Sequence, residues 1–367
     1  MHISSLRLRN YRNYENEIIQ FINGMNILVG LNGEGKTNML ESIYLLSTTR
    51  SHRNDDEKDL IKFDNEFASV EGVINNKQGS DKLSIVLHRT GKSLLINNRL
   101  IKKNSEFIGK INAVLFTPND MDLFDNSPKK RRRLVDMEIG KLSSLYMHSL
   151  STYLKVLKER NNYLKGKTDE IMLETLTELL YEPEIEIIKE RYEFVKKINE
   201  YISYFYNQIS GDENKVLMAY RSIISEMNDE EAMKNQLKSV YENSKERDIA
   251  LKQTNTGIHR EDYLFYLNGK EVSKYCSQGQ KRIIILALKM SIVQLIYQMK
   301  REYPVLLLDD VFSELDLNKR KGLIRLLPTT VQTIVTTTDL ADIQDISRDK
   351  INEIYVRKGK AEYDKQR

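Results

Sequence analysis

The sequence predicts an α/β protein: a mixed head whose chain is interrupted by an inserted α-helical lobe. Three observations predict it. The apolar run Ile27-Leu28-Val29 leads into Gly30-Leu31-Asn32-Gly33-Glu34-Gly35-Lys36-Thr37 and then into an amphipathic stretch marked by Met39, Ile43 and Leu46, which is the order strand, loop, helix. From about residue 129 to 250, Gly and Pro become rare, Glu, Lys, Leu and Tyr abound, and spacings of three and four dominate. Val305-Leu306-Leu307-Leu308 is a continuous apolar run that ends in Asp309-Asp310, as a doubly covered parallel strand would.

The remaining elements follow in order. Ile3, Leu6 and Leu8 alternate with Ser4, Arg7 and Arg9, an opening strand that leads into the polar and aromatic segment Asn10 to Tyr14. Residues 66 to 116 read as an antiparallel sheet. Phe67–Ile74 and Leu83–Leu87 alternate around turn material at Asn75 to Gly79, and Asn97-Asn98 joins Leu94–Ile96 to Leu100-Ile101 as a tight hairpin. Asn112 to Phe116 supplies a further strand. The helical stretch is expected to break near Gly166 and again at Glu182-Pro183, and to end around Ser210-Gly211. Its aromatic stripe of Phe194, Tyr201 and Phe205 reads as core. Sheet-like sequence returns at Tyr263 to Leu267, a long helix runs from Gln278 to Lys300, and strands follow at Val331 to Thr336 and Ile354 to Val356. The expected division is therefore a head of residues 1–125 and 250–367 with a helical insertion at 126–249.

Composition narrows the class. The 367 residues suffice for two domains, and 40% apolar with 30% charged content is that of a globular chain. The longest apolar run, Ile283 to Leu288, is far short of a membrane span, and Met1-His2-Ile3-Ser4-Ser5-Leu6-Arg7 lacks the build of a signal peptide, so a cytoplasmic protein with no membrane partner is expected. A single cysteine, Cys276, excludes an intrachain disulfide and a cysteine-based zinc site. The net charge of +4 means that any affinity for nucleic acid must come from local patches.

The loop from Gly30 to Thr37 fits G-x-x-x-x-G-K-[ST] without mismatch. Its glycines let consecutive N–H groups face an anion, and the helix start adds its positive dipole end. Lys36 would reach the β- and γ-phosphates of a nucleoside triphosphate, and the Thr37 hydroxyl would ligate Mg2+. Asp309, at the end of a strand expected beside this loop, would hold the Mg2+ water shell, and Asp310 would orient or deprotonate an attacking water. Ser277-Gln278-Gly279-Gln280 opens the long helix. It is either an N-cap or a second anion site that would complete the nucleotide site of another subunit.

The order of phosphate loop, Ser-x-Gly-Gln before a helix, acid-ended strand and Glu314-Leu315-Asp316 resembles the Walker A, signature, Walker B and D-loop series of ABC ATPases. The helical lobe between the Walker motifs resembles the SMC-like branch, and within it the RecF family. Pro118-Asn119-Asp120-Met121 followed by Ser127-Pro128-Lys129-Lys130-Arg131-Arg132-Arg133-Leu134-Val135-Asp136 matches that family's Pro-x-Asp … Pro-x-x-Arg-Arg-x-hydrophobic-x-Asp segment. Gly257-Ile258-His259-Arg260-Glu261-Asp262 matches its Gly-Pro-His-Arg-Asp-Asp with Ile258 and Glu261 as departures.

The resemblance implies an ABC-type head that dimerises around two ATP molecules, binds duplex and gapped or junction DNA, and works with RecR and RecO to load RecA in a bacterial, nucleoid-associated setting. Carried over by position, Arg12, Asn13, Gly30, Asn32, Gly33, Glu34, Gly35, Lys36, Thr37 and Asn38 would hold ATP. Ser277, Gln278, Gly279 and Gln280 would face the γ-phosphate of a partner, and Asp316 would lie across the interface. Asn119 and Asp120 stand where a glutamine is usual, and Thr337 or a neighbouring Thr stands where ABC proteins often have a histidine. Asp310 replaces the usual Glu, one methylene longer, so slow hydrolysis is expected. DNA-contact candidates are Arg50, Arg53 and the run Lys129, Lys130, Arg131, Arg132 and Arg133. On a helix that run cannot all face one way, and a solvated helix start or a set of salt bridges is the other reading. His259-Arg260 is a candidate support for the signature or for DNA. The alternative function is another SMC-like or ABC ATPase, of transport or chromosome structure. The large helical insert and the absence of long heptads weigh against these respectively.

Overall fold

Along the chain, the computed structural model describes every residue except 54–55, 126–127, 167–168, 329, 341–350 and 364–367. It opens with the hairpin β1 (His2–Tyr11) and β2 (Tyr14–Gln20), then β3 (Met25–Val29) and α1 (Lys36–Thr48). β4 (Phe67–Asn76), β5 (Gly79–His88), β6 (Gly91–Ile96) and β7 (Arg99–Ile101) form a meander, followed by α2 (Asn104–Phe107) and β8 (Ala113–Phe116). Next come α3 (Asp122–Asp125), α4 (Pro128–Gly140), α5 (Ser144–Tyr163), α6 (Glu170–Ser210), β9 (Val216–Arg221) and α7 (Glu230–Leu251). β10 (Asp262–Leu267), β11 (Lys270–Glu271), α8 (Val272–Tyr275) and α9 (Gln278–Lys300) follow. The chain closes with β12 (Val305–Leu308), α10 (Leu317–Leu326), β13 (Thr333–Thr337), β14 (Ile351–Arg357) and β15 (Lys360–Tyr363).

Two compact units result: Met1–Met121 with Tyr201–Asn214 and Arg282–Arg367, and Asp122–Glu200 with Lys215–Lys281. In the first unit, the antiparallel sheet runs β2-β1-β4-β5-β6-β7 and the second sheet β15-β14-β3-β13-β12-β8. β14, β3, β13, β12 and β8 are parallel, and β15 adds an antiparallel edge. Leu306 and Leu307 are neighbours in β12 and both fully buried, so the strand shows no alternation because both of its faces are covered. α1 packs against β4 and β5 of one sheet and β8 and β13 of the other, which accounts for its almost wholly buried sequence. Asn97 and Asn98 take φ of 49° and 65°, the left-handed pair that a two-residue hairpin turn requires. Among the described residues α9 alone is long and apolar enough to cross a membrane, and 72% of its apolar window is buried, as in the core helix of a globular protein.

The second unit differs from its expected form in three ways. Its sequence was expected to be helical from 129 to 250, yet β9 lies at Val216–Arg221 and pairs antiparallel with β10. That pairing draws residues 250–281, expected in the head, into this unit, whereas Tyr201–Asn214 belong to the first. The expected break at Pro183 is absent, and α6 runs through it. A proline removes one intrahelical bond and crowds the preceding turn. Here Leu180, Tyr181, Ile187 and Ile188 around it are all buried, and tertiary packing outweighs the local cost.

Buried charge organises the same unit. Arg191 donates to Asp136, Glu261, Tyr146 and the Ile258 carbonyl. Glu261 also accepts from Tyr220, Ser222 and the Ile223 N–H. Glu184 accepts from Tyr241 and the Ile258 N–H, and burial pushes its carboxyl up to about 8. The motif Gly257 to Asp262 is therefore a structural hub. His259 bonds Tyr153 and the Thr254 carbonyl, and burial holds its imidazole down at about 4. That ring belongs to the interior of the unit.

Candidate nucleotide site

Four of the predicted residues converge at the C-terminal ends of the parallel strands, where open α/β sheets bind ligands. β3 feeds the phosphate loop and α1 begins at Lys36. β12 delivers Asp309, but it is not the neighbour of β3 that the sequence suggested, because β13 lies between them. The span is bridged by side chains. Thr37 Oγ1 donates to Asp309 Oδ1 at 2.9 Å. Thr336, near the end of β13, donates to the same oxygen at 2.9 Å and accepts from the Asp310 N–H at 2.8 Å.

Thr336 is thus the threonine that reaches the carboxylates, whereas the Thr337 singled out from sequence bonds Asp339 and lends its carbonyl to the Gly30 N–H. In a Thr-Thr-Thr run only strand register decides which residue faces the site, and a slip of one reverses the answer.

The local electrostatics suit a cation. Burial raises the Asp309 carboxyl above its ordinary value, the Asp310 charge adds to this, and the two threonine hydroxyls oppose it. Asp310 sits at φ 48°, a left-handed conformation that Asp tolerates. Lys36 donates to the Gly30 and Leu31 carbonyls at 2.6 and 3.1 Å. Burial lowers its ammonium, and the charges of Asp310, Asp309 and Glu34 oppose that. Thr37 and Asp309 offer only hard oxygen donors, the ligand type Mg2+ takes, and they already stand together. Among the described residues no cluster of three or more His, Cys, Asp or Glu side chains offers another metal centre.

The loop is open where a ligand would lie. Leu31, Asn32 and Gly33 are exposed, and a side chain at Gly33 would meet nothing within 4 Å. Asn13 and Asn38, expected to touch the nucleotide, brace the loop. Asn13 Nδ2 donates to the Glu34 carbonyl at 2.8 Å, and Asn38 donates to Asn13 Oδ1 at 2.9 Å. Arg12 engages the buried Glu41 with two nitrogens, at 3.0 and 2.9 Å, and donates to the Asp59 carbonyl. Arg53, grouped from sequence with DNA, donates to Asn38 Oδ1 at 3.2 Å beside this site. Arg50 is exposed. Asn119 is exposed, while Asp120 accepts from the Thr117 N–H and pairs with the buried Lys289 at 3.2 Å.

The signature residues belong to the second unit. Ser277 Oγ accepts from the Gln280 N–H at 3.3 Å while Gln280 Oε1 accepts from the Ser277 N–H at 2.9 Å, a reciprocal capping box. Ser277, Gln278, Gly279 and Gln280 are all exposed, and a side chain at Gly279 would meet nothing within 4 Å. In the first unit Asp316 caps α10 through the Lys319 N–H at 3.0 Å.

The basic run divides. Arg131 grips Asp262 with two bonds, at 2.7 and 3.0 Å, and Arg132 donates to the Glu261 carbonyl at 2.6 Å. Arg133 is half-buried, Lys130 is exposed and pairs with Asp122, and Lys129 is exposed. Ser127, which precedes the run, lies outside the described residues.

Comparison with known proteins bears on the fold and the family. The family model described as RecF/RecN/SMC N terminal domain matches residues 2–362. The DNA replication and repair protein RecF of Bacillus pumilus is 39% identical over 98% of this chain and 99% of its own, and that of Enterococcus faecalis is 39% identical over 99% of each. A solved structure of the recombination mediator protein RecF with ATP, in the RecFOR pathway, superposes with a TM-score of 0.91 at 32% identity, covering 99% of this chain and 97% of that one. The Smc head domain from Pyrococcus furiosus shares the fold, with a TM-score of 0.57 at 18% identity over 98% and 95% of the two chains. Fold and site together define an ABC-type ATPase of the SMC-like class, with a P-loop head. Within that class the chain belongs to the RecF family.

Proposed function

We propose that the protein is an ATP-switched, DNA-binding clamp that acts as a recombination mediator. The observation that carries this reading is the convergence of Thr37, Asp309, Asp310 and Thr336 at an open phosphate loop. The exposed Ser277–Gln280 turn of the same chain, which opens the helix α9, supports completion of the site by a second copy.

In this reading Lys36 and the loop N–H groups bind the phosphates of ATP, and Thr37 and Asp309 hold Mg2+. The bound Mg2+ would neutralise charge on the β- and γ-phosphates. Asp310 orients a water and accepts its proton as the water's oxygen bonds to the γ-phosphorus and the bond to ADP breaks. The short Asp310 side chain holds that water loosely, so turnover falls below the range of ~1–100 s⁻¹ usual for kinases. Dimerisation on ATP closes the clamp on duplex DNA, with gapped or single-strand/double-strand junctions favoured. RecR and RecO are its partners in promoting RecA loading, in the bacterial cytoplasm at the nucleoid and without a membrane partner. Relatives named for the RecFOR pathway support this assignment.

Sedimentation mass with Mg-ATP, with and without a duplex bearing a single-stranded tail, tests the reading. A dimer that forms with ATP, is lost in Ser277→Arg while nucleotide binding survives, and persists in Asp310→Asn supports it. A monomer under every condition overturns the shared site.

A further inference from the structure

We infer that the Lys358-Gly359 turn, together with Asn13 and Tyr14, is a positioning layer that aims the N–H groups of the phosphate loop at the nucleotide. The inference rests on the nucleotide reading above and deepens it. All described peptide bonds are trans, so each carbonyl points opposite to the N–H of the following residue.

The Glu34 carbonyl is held from outside by two donors, Asn13 Nδ2 at 2.8 Å and the Gly359 N–H at 3.0 Å. Fixing that carbonyl outward turns the Gly35 N–H inward. The next peptide is set in the same way: the Gly35 carbonyl accepts from Tyr14 OH at 3.0 Å and from the Met39 N–H at 3.0 Å, which orients the Lys36 N–H. A further clasp comes from the Lys358 N–H, which donates to the Glu34 carboxylate.

The approach leaves no slack. A Cβ at residue 359 would lie 2.4 Å from the Asn13 carbonyl oxygen, and the residue adopts φ +73°. A Cβ at residue 35 would meet Asn13 Nδ2 at 2.7 Å and Tyr14 OH at 2.9 Å. Tyr14 is fully buried, and burial raises its phenol, so its hydroxyl stays a donor across the working pH range. Two hairpin turns from opposite ends of the chain thus pre-orient the cradle, and groups that act through the loop backbone set its affinity. Preorganised N–H groups bind an anion without having to turn on binding, which is why such bracing strengthens affinity.

The test is an equilibrium titration of the full-length protein with a fluorescent ATP analogue and Mg2+, beside the thermal midpoint without nucleotide. Tyr14→Phe removes one hydroxyl and keeps the ring in the core. It is expected to raise Kd severalfold, up to about tenfold, and, because the bond is also made in the free chain, to lower the nucleotide-free midpoint by about a few degrees at most. Gly359→Ala is expected to raise Kd by at least as much. The control is Tyr363→Phe, on the same C-terminal hairpin, whose hydroxyl accepts from the Gln20 N–H and touches no loop residue. Its Kd should equal that of the unmodified chain. Unchanged affinity in Tyr14→Phe overturns the inference, as does an equal loss in Tyr363→Phe, which would mark general loosening of the hairpin. If Gly359→Ala fails to fold, Tyr14→Phe decides alone. A folded unmodified chain that binds no nucleotide overturns the nucleotide reading itself, a result distinct from either.

Discussion

Thr336 lies between two aspartates, accepting from the backbone N–H of Asp310 and donating to the Asp309 carboxylate. Its loss should act on the chemical step more than on binding. Thr336→Val keeps the shape and removes the hydroxyl, and we expect kcat to fall about tenfold with KM changed little, read from steady-state hydrolysis. Arg12 makes a contrasting case. Its partner Glu41 is fully buried, and removing one member of a buried pair leaves an uncompensated charge. Arg12→Ala should therefore cost about 3 kcal/mol of folding stability, seen in chemical denaturation, and a larger loss of stability than of nucleotide affinity would separate a bracing arginine from a ligand-binding one.

At the scale of elements, α4 shows how a basic run is shared between interior and surface. Arg131 and Arg132 are bound to the segment that leads into β10, while Lys129 and Lys130 remain exposed. Substituting Lys129 or Lys130 by Ala should weaken duplex binding at low salt and reduce the salt slope by about 1 each if they meet phosphates. An Arg131→Ala change should lower the thermal midpoint instead.

The α6 interior makes a pH-dependent contribution. The folded Glu184 carboxyl is raised to about 8, above the ordinary 4.5 of a free Glu. The neutral form therefore stabilises the fold fully below pH 4.5, and this contribution is lost as pH rises through 8. His259, depressed to about 4 from 6.5, works in the other direction, with stability present above pH 6.5 and lost as pH falls through 4. Glu184→Gln keeps an acceptor for Tyr241 and the Ile258 N–H. It should flatten the decline of the thermal midpoint between pH 5 and pH 8, and an unaltered profile would show that Glu184 ionises as freely as a surface acid.

For the molecule as a whole, the phosphate loop and the signature turn fall in separate compact units, and both present open backbone at their tips. Saturating ATP at 100 times its Kd should add about 2.7 kcal/mol to the stability of any state that binds it, and Lys36→Met should abolish this gain, as calorimetry would show.

Much of this architecture was legible because its signals are local. A phosphate loop needs glycines, a lysine and a hydroxyl at fixed spacing, and Gly30 to Thr37 supplies them. A buried parallel strand needs an unbroken apolar run, and Val305 to Leu308 is one. The Asn97-Asn98 turn follows from its residue types. What the sequence withheld depends on residues far apart in the chain. Pro183 stays within α6 because buried neighbours outweigh a local preference. β9 is not legible locally because a strand of six residues between helices is defined by its partner β10, 46 residues on from Val216 to Asp262 in the numbering. Arg131 and Arg132 look like their neighbours until Asp262 and the Glu261 carbonyl are brought to them.

The sequence by itself thus determined the phosphate-loop motif and the family, since both reside in short motifs whose spacing is set by bond geometry. Only the tertiary structure decided that Thr336 serves the carboxylates, that Asn13 braces the loop and that Gly359 reaches it from the other end of the chain. Strand register and hairpin approach fix those contacts, and they arise only when the sheet assembles.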